Sequence, residues 1–138
     1  MQKSTQELMH RLKEADDIHV FLEENKCELL KETVQGYLGG LLGERGLKTA
    51  DVAERSGQGD YVYKVFQGTR KASRNILLSI SIGMSLSVPE TQMLLRIAQI
   101  AQLDPRNRSD SIVIYALENG IGINKVNDIL YDMGEVTL

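Results

Sequence analysis

An all-α fold follows from three features of the 138-residue sequence. It has only two prolines and no tryptophan, no long stretch of β-alternation, and apolar residues recurring at helical spacing between recognisable caps. The hydrophobic and charged fractions, 42% and 25%, are ordinary for a globular chain. Its length suits one compact domain, so the expected organisation is a single helical domain over 1–138. Within it lie an N-terminal arm at 1–33, a core at 34–86 and C-terminal helices at 87–138.

Residues 4–14 and 16–26 read as two short helices, or one kinked at Ala15-Asp16-Asp17, with Asp16 or Asp17 as N-cap. Leu8 and Leu12 form an i, i+4 pair, and Ile18, Phe21 and Leu22 give the second an apolar face. The arm suits dimerisation or partner docking, or equally a cover for the domain's own core. A helix over 28–45 follows, with Leu29, Leu30, Val34, Leu38, Leu41 and Leu42 inward. Gly36, Gly39, Gly40 and Gly43 share one stripe, at a cost of roughly 1 kcal/mol each against alanine. The stripe predicts close packing by another helix or chain, so Gly40→Leu is expected to destabilise the fold or break a dimer. A Gly-rich phosphate cradle would need a strand before it, and none is predicted.

The stretch from Leu47 to Arg74 organises the chain. Thr49 is a candidate cap for a short helix with Asp51 in its first turn, and Gly57 ends it in the left-handed conformation. Val52 and Ala53 face inward. A second apolar-periodic segment, Tyr61 to Phe66, begins only a few residues later and stops at Gly68; Ser73 then caps the next helix. Two helices joined so tightly cross steeply, as in a helix-turn-helix. After the motif, a helix runs from Ser73 to about Leu86. Ser87-Val88-Pro89-Glu90 forms a capping box for a helix to about Gln102. Asp104-Pro105 starts another that stops at Asn119-Gly120, and Asn124 caps the last.

These motifs resemble the lambda-repressor-like, xenobiotic-response-element (XRE) family over residues 34–86. Val52-Ala53, Gly57, Val65-Phe66-Gln67-Gly68, Arg70 and Ser73 carry the likeness. Through Tyr115-Ala116-Leu117 and Val126 to Leu130 the whole chain is also similar to a subgroup of small bacterial regulators. One departure is a Gly57-to-Gly68 spacing one residue shorter than the family's pattern, at Gln58-Gly59-Asp60. The resemblance implies a lambda-repressor-like bundle with helical extensions, whose segment 49–67 binds double-stranded DNA as a transcriptional regulator. By motif position, Gln58, Asp60, Tyr61, Lys64 and Gln67 would meet base edges, and Thr49, Arg70, Lys71 and Arg74 would meet phosphates. Lys64, Arg70 and Arg74 lead that list. A homodimer is expected, because one recognition helix reads too few base pairs for strong specificity.

Charge gives separate support. The net charge is −3 overall, but residues 34–75 carry seven basic against four acidic side chains, while the flanks 1–33 and 76–138 are each −3. The acidic flanks and the poorly basic second helix favour the alternative, a protein-interaction module on the same scaffold, with the arm or the C-terminal helices as the docking surface. An enzyme is not expected: no nucleophile stands with a base at a known spacing, and His10 and His19 lack a metal-binding arrangement. No cofactor is implied. The lone Cys27 and the absence of an apolar signal or spanning segment lead to a cytoplasmic expectation, with no membrane partner.

Overall fold

In a computed structural model, residues 4–25 and 33–138 are described, and all nine of their regular elements are α-helices. The chain divides into two compact units, Met1–Lys31 and Glu32–Leu138. In the first, α1 (Thr5–Glu14) is capped by the Ser4 hydroxyl and α2 (Ile18–Glu24) by the Asp17 carboxylate, which accepts from the His19 amide at 2.8 Å. Of the two expected forms, two short helices or one kinked at 15–17, the structure has two helices, the second with its own cap. His10 is exposed and lies 3.2 Å from Glu14.

The second unit begins with α3 (Val34–Glu44). Thr33 is extended, and its hydroxyl accepts from the Gly36 amide, so the helix starts at Val34 and not at 28. Leu29 and Leu30, expected to face inward, lie outside the described residues. Leu38 and Leu41 are buried; Val34 and Leu42 pack at the core's edge. The glycines occupy the opposite side of the helix. All four are exposed, and a Cβ at Gly39, Gly40 or Gly43 would meet no atom within 4 Å. Among the described residues, nothing packs closely on the stripe at Gly39, Gly40 or Gly43. Gly39→Ala is expected to stabilise the fold by about 0.5–1 kcal/mol, read as a raised melting temperature. A lowered one would mean that a second chain occupies the stripe.

Next come α4 (Thr49–Ser56), α5 (Asp60–Gln67) and α6 (Arg74–Gly83), and α6 is the axis of the unit. Every residue from Leu77 to Gly83 is buried. Its serines survive there because their hydroxyls donate back along the helix, Ser79 to the Asn75 carbonyl and Ser81 to the Leu77 carbonyl, both at 2.8 Å. Around it pack Val52, Val62, Val65, Leu94, Leu95, Val113, Val126 and Leu130, all 2% exposed or less. At Gly83 the end of α4 comes closest: a Cβ there would stand 2.9 Å from the Ser56 backbone nitrogen.

Several boundaries differ from expectation. Lys48, not Thr49, is the N-cap of α4, and Asp51 accepts from its amide at 3.0 Å. The helix from Ser73 stops at Gly83 because Ser85 adopts φ 55°, and α7 (Val88–Ile97) stops where Gln99 adopts φ 58°. At neither stop is the left-handed residue a glycine. Asp104 forms a turn onto the Arg106 amide, and α8 (Arg108–Asn119) starts only after Asn107. Gly122 precedes α9 (Ile123–Asp132), leaving Asn124 inside the helix.

The Ser87–Glu90 capping box forms as expected, with Pro89 at the second helical position. It also ties α7 to α3. Arg45 Nη2 donates to Glu90 Oε1 at 2.6 Å, and the Tyr37 hydroxyl donates to the Glu90 carbonyl at 3.3 Å. The Arg45 hydrogen bond, helped by the Ser87 amide and hydroxyl, holds the Glu90 carboxyl below its usual value against the desolvation that raises it. A lowered folded pKa means the contribution is present above the unfolded value, roughly 4.3, and is lost as pH falls through the folded one. Chemical unfolding from pH 6 to pH 3 should therefore show a shallower acid limb for Glu90→Gln than for the parent; identical limbs would refute the assignment.

Candidate nucleic-acid interface

The turn between α4 and α5 is three residues long, Gly57 to Gly59. It closes at that length because both glycines take positive φ, 73° and 56°, which would strain a side-chain-bearing residue. The Gly59 amide returns to the Ala53 carbonyl at 3.3 Å. Ile123, at the start of α9, supports the turn: its Cγ2 lies 3.8 Å from where a Cβ on Gly57 would be.

Helix α5 has two distinct sides. Val62 and Val65 are buried with Phe66 beside them, while Asp60, Tyr63, Lys64 and Gln67 are exposed within one face. Gly68, at φ 74°, turns the chain back, and the Thr69 amide and hydroxyl both donate to the Lys64 carbonyl, at 3.0 and 3.2 Å. The loop is thereby folded onto the end of α5. Tyr61 anchors its far side: the hydroxyl donates to the Lys71 carbonyl at 3.2 Å, and the Arg70 guanidinium lies 5.8 Å from the ring centroid. Lys64, Arg70 and Lys71 thus stand exposed around one helix end. Among the described residues none of the three is paired with a carboxylate.

Four of the nine residues expected at the interface are used or placed otherwise. Gln58 turns inward, its Nε2 donating to Ser79 Oγ at 3.1 Å. Tyr61 is half-buried and spends its hydroxyl on the loop. Thr49 sits half-buried at the end of α4 remote from the turn. Arg74 is the largest departure. Its guanidinium meets both oxygens of Asp110, at 3.0 and 2.9 Å, and the carbonyls of Ala101 and Gln102. Asp110 is only 5% exposed and also accepts from the Asp104 amide. No sequence signal flagged Asp110, because its partner is 36 residues away. Asp60, Lys64, Gln67, Arg70 and Lys71 remain together on the exposed surface.

No protein-family model, no curated protein and no solved structure matches the chain. Among the described residues no helix is long and apolar enough to cross a membrane.

Proposed function

We propose that the chain is a sequence-specific, double-stranded-DNA-binding regulator of transcription in the cytoplasm, of XRE type. In this reading α4 and α5 form its helix-turn-helix. One observation carries the reading: the exposed polar face of α5 ends in three unpaired cations, Lys64, Arg70 and Lys71, fixed by a loop folded onto the helix. A helix with one apolar and one hydrogen-bonding side fits the major groove. Lys64 suits the guanine acceptors and Gln67 the adenine edge, while Asp60 suits the cytosine amino group. Arg70 and Lys71 supply phosphate contacts that set register without reading sequence. Gln58 and Arg74 leave this set and become supports. Two copies, one per half-site, give the specificity that one helix lacks. No catalytic chemistry is assigned to the chain.

Fluorescence anisotropy with a duplex selected from random sequence tests the assignment. Lys64→Ala should weaken binding to the selected site by about 1–3 kcal/mol and relax the preference at one base pair. Lys71→Ala should weaken all sequences alike and lower the salt slope by about one. Asp60 on the same face, where a carboxylate is repelled by phosphate, favours the second reading of a protein-interaction module. That reading gains if neither substitution changes DNA affinity.

A further inference from the structure

Tyr63 stands among hydrogen-bonding side chains on the outer face of α5. It is 39% exposed, whereas the other two rings of the helix, Tyr61 and Phe66, pack at the edge of the core. Among the described residues its hydroxyl has no hydrogen-bond partner, while that of Tyr61 donates to the Lys71 carbonyl. At about 100° per residue, Tyr63 and Lys64 flank the face on opposite sides, with Asp60 and Gln67 between them. Gln67 follows Tyr63 by four residues, so the two side chains are neighbours one turn apart. The Arg70 guanidinium lies over the ring of Tyr61, on the Lys64 side. Tyr63 is therefore beside Gln67 and away from the basic loop.

The major groove offers hydrogen-bond donors and acceptors on every base pair and one apolar group, the C5-methyl of thymine. Asp60, Lys64 and Gln67 have the chemistry for the donors and acceptors, and the ring beside them has the chemistry for the methyl. A phosphate contact would use only the Tyr63 hydroxyl, and the cations suited to phosphate, Arg70 and Lys71, stand on the other flank. We propose that Tyr63 is a specificity-determining residue whose ring packs on the methyl of a thymine at or beside the base pair that Gln67 reads. The inference rests on the DNA reading of α5 and adds to it a preference that no hydrogen bond supplies. Burying one methyl group is worth about a fourfold difference in affinity.

Deoxyuridine tests the proposal, because it pairs as thymidine does and lacks only the methyl. Anisotropy is measured on the full chain with a duplex selected from random sequence, each thymine replaced in turn. The parent should lose about fourfold at one thymine, which pairs with or adjoins the adenine whose preference Gln67→Ala relaxes. Tyr63→Phe keeps the ring and should show the same loss. Tyr63→Ala should bind the thymine and deoxyuridine duplexes alike. A parent indifferent to every replacement overturns the proposal, as does a Tyr63→Ala chain that keeps the parent's sensitivity. A sensitive thymine remote from the Gln67 pair overturns it too. If Tyr63→Phe weakens binding while deoxyuridine has no effect, the hydroxyl meets a phosphate and the methyl contact is refuted. Each of these results leaves the DNA reading standing; a chain that selects no duplex overturns both.

Discussion

Replacing Asp110 with alanine should cost the second unit roughly 3 kcal/mol, more than any surface substitution. The carboxylate joins three parts of the fold. It takes both arms of the Arg74 guanidinium at the start of α6, accepts from the Asp104 amide in the preceding turn, and lies at the start of α8. Its own amide donates to the Asn107 side chain that caps that helix. Removing one member of a buried pair costs about 3–5 kcal/mol, since the other charge loses its partner. Arg74 is 30% exposed, so water offsets part of the loss and the lower end applies. For a unit of this size that is a drop of roughly 12–20 °C in melting temperature. Arg74→Met should lose a similar amount, and Arg74→Met with Asp110→Leu much less than the sum of the singles. Single losses under about 0.5 kcal/mol would show that the pair is not a structural clamp and would free Arg74 for phosphate.

Gly83→Ala should cost about 2–3 kcal/mol, although alanine is the better helix former. The added Cβ would stand 2.9 Å from the Ser56 nitrogen and 3.2 Å from the Arg55 carbonyl carbon and Ser56 Cα. All three are backbone atoms, which cannot turn aside as a side chain can, so α4 or α6 must move. Motion of α4 shifts the turn into α5, so the damage reaches the proposed DNA surface as well as the core. Gly39→Ala is the control: the same chemical change with no atom within 4 Å should raise stability. Denaturant unfolding of both reads the contrast, and equal effects of the same sign would contradict the packing at Gly83.

What the sequence made legible is local. The caps at Ser73 and Ser87-Glu90 satisfy amides three residues on, and Gly57, Gly68 and Gly120 mark chain reversals through dihedrals that only glycine adopts freely. Stops made by Ser85 and Gln99 carry no such mark, so α6 and α7 end earlier than their apolar periodicity suggests. The partners of Arg74 and Gln58 lie 36 and 21 residues away, beyond any spacing rule. The helical phase of Leu38 and Leu41 already puts the glycines of α3 on the far side, towards solvent. Gly83, at the end of the buried stretch of α6, is the position where a close approach occurs. At the candidate interface the exposed face of α5 followed from its period. Which cations stay free required the fold.

The most direct test of the central claim is anisotropy of the parent chain against duplex from its own upstream region at 50 and 200 mM salt, with excess random DNA as competitor. Binding that persists against the competitor and weakens steeply with salt, and that loses affinity in Lys64→Ala, is the predicted result. Salt-insensitive or absent binding, or identical behaviour of Lys64→Ala and the parent, would contradict a DNA-reading α5.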